Sequence, residues 1–269
     1  MPTEFRLFSL LRGLCIACGA GLALGVQAQG FSAFISPPRF ELQLEAGQTV
    51  RQVFEIQHVG QIRGQYRIYS ADWKYLPDQS VVTSEPGEPL SADSCRPWVA
   101  IERRDLALDP GARYRYRFEV SAPAGTPPRE CRFALMVEGR DATGGAVQAG
   151  GRIGVIVYAA IGGAAPVLEV VGTRVATVQG RQLPVVDVRN SGNAHGRLAG
   201  FVTGTDADGK RLEFGPADMP ILPGETRSVA LIALAEGNQP APTVRFPVRI
   251  AGSLEWGRNR LPLDARFVP

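Results

Sequence analysis

The sequence predicts an all-β protein built as two β-sandwich domains in tandem, joined by a short hinge and preceded by a cleavable signal peptide. Three observations predict the sandwiches. From Phe40 onward apolar and polar residues alternate over short stretches, the period of a strand with one buried face, while helical periodicity never lasts. The 269 residues include 31 Gly and 21 Pro, which punctuate many short elements and leave no room for long helices. The plan also repeats: Leu108-Asp109-Pro110-Gly111-Ala112-Arg113 precedes one strand, and Leu222-Pro223-Gly224-Glu225-Thr226-Arg227 precedes another in the second half.

Residues 1–28 carry the marks of the signal. Arg6 and Arg12 form the positive flank, Leu14 to Val26 is an uncharged apolar run, and Val26-Gln27-Ala28 offers small residues for cleavage before Gln29. A lipoprotein signal at Cys18 is the alternative, opposed by Cys15 standing where such signals carry Leu. No later stretch is apolar for long enough to span a bilayer, so the mature chain is expected not to insert into the membrane. Cleavage removes Cys15 and Cys18 and leaves Cys95 and Cys131 in an oxidising compartment, where a disulfide between them is expected; two buried thiols are the alternative.

The strands follow in order. Phe40, Leu42 and Leu44 alternate with Glu41, Gln43 and Glu45; after Ala46-Gly47-Gln48 a second strand contains Val53 to Gln57. Gln65 to Trp73, Trp98 to Glu102, Tyr114 to Val120, Arg132 to Glu138 and Arg152 to Tyr158 complete the first domain, residues 29–163. Ala159 to Pro166, rich in Gly and Ala, reads as the hinge, with the boundary near Gly163. The second domain, residues 164–269, takes Leu168 to Val171, Leu183 to Val188, Arg197 to Val202, Ser228 to Leu234, Val244 to Ile250 and Leu261 to Phe267.

Composition narrows the function. The net charge of +3 is scattered with no basic block, which argues against nucleic acid as a partner. Lys74 and Lys210 are the only lysines, so the positive charge is almost all arginine, whose fork matches a carboxylate. His58 and His195 are the only histidines, and neither has a partner at metal-ligand spacing; His195 reads as a turn residue bonded to backbone rather than a catalytic base. No Gly-x-Ser-x-Gly elbow occurs, and Gly144-Gly145 and Gly150-Gly151 lack the ending of a phosphate loop. Asp206-Ala207-Asp208-Gly209 lacks the closing Glu of a calcium loop and reads as a turn. The expectation is a protein that is not an enzyme and needs no cofactor or metal.

Several segments carry a resemblance to the periplasmic chaperones of the chaperone-usher pilus pathway. Ser36-Pro37-Pro38-Arg39-Phe40-Glu41-Leu42 is similar to their opening strand, and Tyr69-Ser70-Ala71-Asp72-Trp73 to their third. Leu106-Ala107-Leu108-Asp109-Pro110-Gly111-Ala112-Arg113 resembles their Leu-x-Pro-Gly turn. Phe133-Ala134-Leu135-Met136-Val137-Glu138 and Arg152-Ile153-Gly154-Val155-Ile156-Val157-Tyr158 stand in place of the last two strands of their first domain. The resemblance covers residues 36–158 in order and implies two immunoglobulin-like sandwiches.

It also implies donor-strand complementation, in which the chaperone lends a strand to a pilus (fimbrial) subunit lacking its own last strand. The partners so implied are pilus subunits and an outer-membrane usher, and the location is the periplasm. The subunit's C-terminal carboxylate would be anchored between the domains by two basic residues, the first of them Arg39. The second is a Lys in the family; this chain has Gly154 at that place, and Arg152, two residues earlier on the same strand face, takes the role, the alternative for it being a solvated edge charge. The donor strand would use Val147, Ala149, Ile153, Val155 and Val157. Val147, Ala149 and Gly151 are small where the family is bulky, which implies a different register, shallow subunit pockets or another client. The rival functions are an exported structural or adhesive surface protein and a carbohydrate-binding module; aromatics at 8%, with Trp73, Trp98 and Trp256 far apart, favour core packing over a sugar platform.

Overall fold

The computed structural model describes residues 32–76, 80–140, 151–235, 237 and 240–269. The expected signal peptide, with Cys15 and Cys18, and the donor positions Val147 and Ala149 lie outside the described residues. The first half contains β1 (Ala33–Ser36), β2 (Arg39–Leu44), β3 (Thr49–His58), β4 (Gly64–Ala71), β5 (Trp73–Tyr75), β6 (Val81–Thr83), a 3-10 turn (Arg96–Trp98), β7 (Val99–Ile101), β8 (Asp105–Leu108), β9 (Arg113–Ser121), β10 (Arg129–Arg140) and β11 (Arg152–Ile161). The second contains β12 (Leu168–Val178), β13 (Arg181–Asn190), β14 (Gly196–Arg197), β15 (Val202–Thr205), β16 (Arg211–Pro216), β17 (Pro220–Ile221), β18 (Thr226–Ala233), β19 (Val248–Trp256) and β20 (Asn259–Phe267). Among the described residues there is no α-helix, as the alternation predicts.

Two sheets make the first sandwich, in the orders β1-β3-β9-β7 and β2-β11-β10-β4-β8. The chain changes sheets at Pro37 and Pro38, which have no N–H to give a ladder: β1 pairs with β3, and β2 then runs parallel to β11. The single opening strand expected from the sequence is therefore two, and Arg39 begins the second. The inner faces interdigitate Phe54, Ile56, Tyr116 and Phe118 with Leu42, Ile68, Phe133, Leu135, Val155 and Val157. Phe118 meets Phe133 across the sandwich at 6.3 Å, edge to face. Cys95 and Cys131 are joined in a disulfide with their Cα atoms 5.3 Å apart, fastening the segment before the 3-10 turn to β10.

The second sandwich is a continuous seven-stranded sheet, β12-β13-β18-β16-β15-β19-β20, with β14-β17 as a separate pair. It folds on itself because β18 gives residues 226–230 to β13 and residues 231–233 to β16. Val186, Val188, Phe214, Leu231, Ile250 and Phe267 lie in its own core. Several limits differ from the alternation. The strand expected over Arg197 to Val202 is cut between β14 and β15, because Gly200 turns the chain at φ 78°. The one expected over Val244 to Ile250 starts only at Val248, after Pro247. Leu168 to Val171 extends through a bulge to Val178. Trp98 belongs to the 3-10 turn, and only Val99 to Ile101 is strand. The expected hinge is shorter than read: Ala159, Ala160 and Ile161 remain in β11, with Ala159 and Ile161 wholly buried, so the turn is made at Gly162 and Gly163.

Candidate functional site: the cleft between the two halves

The outer face of the five-stranded sheet is not a solvent face. Ala71, Trp73, Ala134, Met136 and Tyr158 are buried on it, and Leu222 of the second half packs against them. Their presence follows from strand period: on β10 and β11 both sets of alternate residues are apolar, so both faces must be covered. Tyr158 is the centre of this face. Its ring stacks on His195 at 3.8 Å, meets Trp73 edge-on at 5.5 Å and lies 5.9 Å beneath the Arg197 guanidinium. Burial pushes its hydroxyl well above the ordinary tyrosine range.

A ring of charge surrounds Tyr158. From the first half come Arg39 and Glu41 on β2 and Glu130 on β10; from the second come His195, Arg197 and Asp218. His195 donates its Nδ1–H to Glu130 Oε2 at 2.6 Å, and the same oxygen accepts the His195 backbone N–H at 3.1 Å. Its Nε2 lies 3.7 Å from Glu41 Oε1. Burial pulls the imidazole toward neutrality, but Glu130 and Glu41 together outweigh it and hold its pKa above the ordinary histidine value. Glu41 is held below its ordinary range, first by its contact with the His195 imidazole, against some burial, and then by the charges of His195, Arg39 and Arg197. The expectation that His195 is a turn residue bonded to backbone is corrected: its ring is clamped between two carboxylates of the other half. Sequence carried no signal for this, since Glu130 stands 65 positions away.

The loop that delivers His195 is built by Asn190, which is fully buried and fully bonded. Its Nδ2 donates to the carbonyls of Ala194 and Ile221, and its Oδ1 accepts the N–H groups of Val167 and Gly192. Gly192 is required by close approach: a Cβ there would lie 2.4 Å from the carbonyl oxygen of Ala165. His58, the other histidine, is also structural, with Nε2 2.6 Å from the Ile62 carbonyl oxygen and Nδ1 2.5 Å from the Tyr66 hydroxyl.

Arg39 lies at the mouth of this ring, 40% of its side chain exposed, with Nε 3.1 Å from Glu41 Oε1 and Nη1 3.7 Å from Asp218 Oδ2. Arg152 does not join it. The register places Arg39 beside Ile156, four residues along β11, about 13 Å of strand. The Arg152 guanidinium bonds Glu85 at 2.9 Å and the Tyr69 hydroxyl instead. Of the donor positions, Val155 and Val157 are fully buried in the first core and Ile153 packs against it, so their side chains are committed to this molecule.

What β11 does leave open is backbone. From Ile156 to Ile161 it is paired on both sides, by β10 and β2, whereas among the described residues Arg152 to Val155 are paired only by β10. The Ile156 N–H donates toward β2, to the Pro38 carbonyl. By alternation, the N–H and C=O groups of Gly154 and Arg152 face the same side, where no described strand lies.

No family model matches the chain, and no curated protein does. Among solved structures it is similar to the YadV chaperone, at 12% identity and a TM-score of 0.47 over 88% of this chain and 100% of that one. The Escherichia coli chaperone DraB gives 13% and 0.46, over 89% and 98% of the two chains. The CsuC-CsuE chaperone-tip adhesion subunit pre-assembly complex of Acinetobacter baumannii gives 15% and 0.44, over 88% and 99%.

Proposed function

We propose that this chain is a periplasmic chaperone that caps pilus (fimbrial) subunits by donor-strand complementation and passes them to an outer-membrane usher. Residues 1–28 direct its export, and residues 29–163 and 164–269 are its two domains. The observation that carries the reading is the edge of β11 that, among the described residues, is only half paired. A strand added beside Arg152 to Gly154 would lie in line with β2, and its end would meet Pro38 and Arg39, which lie beside Val155 and Ile156. An extended segment with a free C-terminus satisfies both features at once: its backbone pairs with Gly154 and Arg152, and its carboxylate falls at a guanidinium. The sequence motifs over residues 36–158 supply the class of client. Arg152, tied to Glu85, supports the edge by its backbone rather than gripping the terminus with Arg39.

The test is co-expression in a periplasm with candidate surface subunits. A stoichiometric complex is expected, and Arg39→Ala should fold normally yet recover little of it, since an exposed arginine contributes little stability. Wild-type yield of complex from a folded Arg39→Ala protein would defeat the anchor, and no complex with any subunit of the neighbouring reading frames would defeat the chaperone reading.

A further inference from the structure

We infer that the second cation of the terminus-binding site is Arg197 of the second half, and that the site is held closed by the chain's own Asp218 until a client carboxylate displaces it. This rests on the proposed use of the β11 edge and specifies what sits at its inner end. The two oxygens of the Asp218 carboxylate are divided between two arginines from different halves: Arg197 Nη1 donates to Oδ1 at 2.7 Å, and Arg39 Nη1 lies 3.7 Å from Oδ2. A carboxylate bracketed by two guanidiniums is the arrangement a peptide C-terminus would require.

Asp218 is suited to leave. Its side chain is 72% exposed, on the short segment between β16 and β17, so its departure opens no cavity. Arg197 is suited to stay, with only 16% of its side chain exposed and its guanidinium held over Tyr158, to whose hydroxyl Nη2 donates at 3.4 Å. Among the described residues its Nε is buried with no hydrogen-bond acceptor, the nearest carboxylate oxygen being that of Glu41 at 3.7 Å. That donor is unused while Asp218 holds the pair. The exchange conserves charge, one carboxylate for another, so the ring of Arg39, Glu41, Glu130, His195 and Arg197 is left as it was. The internal carboxylate therefore acts as a competitor: if it occupies the pair roughly nine-tenths of the time, it weakens a rival about tenfold.

The experiment uses the full mature chain with 15N-labelled backbone and arginine side chains, and as probe an acetylated hexapeptide of alternating Thr and Val, once as the free acid and once as the amide. For Asp218→Asn, the acid is expected to bind about tenfold more tightly than to the wild type, shifting the Nε–H signals of Arg39 and Arg197 together, while the amide gains nothing. Arg197→Gln should erase the preference for the acid. Equal affinities of acid and amide for Asp218→Asn, or no gain over the wild type, would overturn the inference, as would a response from Arg39 without Arg197. If the Gly154 backbone amide shifts with both peptides in those cases, the edge reading survives and only the assignment of the terminus site is lost. If neither peptide moves Gly154, the edge reading falls and this inference with it.

Discussion

His195 links the two halves through a proton, which gives the interface a pH window. Its folded pKa lies above its ordinary value of 6.5, so the stability it contributes is fully present below that value and is lost as pH rises through the folded one. Glu41 works in the opposite sense: its pKa is depressed below 4.5, so its contribution is present above that value and is lost as pH falls through the folded one. The melting temperature is expected to be highest between the two, in mildly acidic solution, and to fall from there toward pH 8.5. His195→Gln should flatten the alkaline limb, and Glu130→Ala, which leaves the buried imidazole without its main partner, should cost about 3 kcal/mol near pH 6. A Tm that rises steadily from pH 6 to 8.5 in the wild type would contradict this account. None of it was legible in the sequence. A histidine's role depends on what the fold brings beside it, and the two carboxylates around His195 stand on β2 and β10, far away along the chain. Arg39 could be singled out in the sequence only because a motif surrounds it, whereas Arg197 and Asp218 have local sequence unlike any motif and meet only when the halves are packed.

At the scale of elements, period-two alternation located most strands because one-sided burial writes itself directly into sequence, as in Phe133, Leu135 and Val137 of β10. It failed where backbone chemistry outranks side-chain pattern, at Pro37 and Pro38, Gly200 and Pro247. It also could not show which edge of β11 lacks a partner strand among the described residues, since an edge is a property of the neighbours and not of the strand. The same distinction separates two roles for Arg152. As the first residue of β11, it can be replaced by proline with little damage to the ladder, yet Arg152→Pro removes an N–H from the edge that no described strand pairs. Arg152→Ala keeps that N–H and loses only the contacts to Glu85 and Tyr69. Co-purification of client is therefore expected to survive Arg152→Ala and to drop severalfold with Arg152→Pro, circular dichroism showing both folded. Equal loss from the two would return the role to the side chain.

At the scale of the whole molecule, the repeated Pro-Gly turn correctly indicates a second sandwich, but it says nothing of how the two are fastened. The fastening runs through Asn193 and its neighbours. Asn193 donates its Nδ2–H to the Pro128 carbonyl at 2.8 Å, accepts the Ala165 N–H at 2.9 Å and takes the Glu130 N–H on its own carbonyl at 2.9 Å, so first half, linker and second half meet at one residue. Beside it Gly192 touches linker backbone on which no flexible side chain can give way. Gly192→Ala should thus part the loop from the linker without entering either core. In calorimetry at pH 6 the wild type is expected to unfold in one transition, because the interface couples two domains that each have their own core. Gly192→Ala should split it in two. Reduction then identifies the first half: opening the Cys95–Cys131 bridge, whose loop constraint contributes on the order of 3 kcal/mol, lowers one transition and leaves the other. A single transition at the wild-type temperature in Gly192→Ala would mean that the two sandwiches are coupled elsewhere, and that the charged ring around Tyr158 holds them without help from the linker.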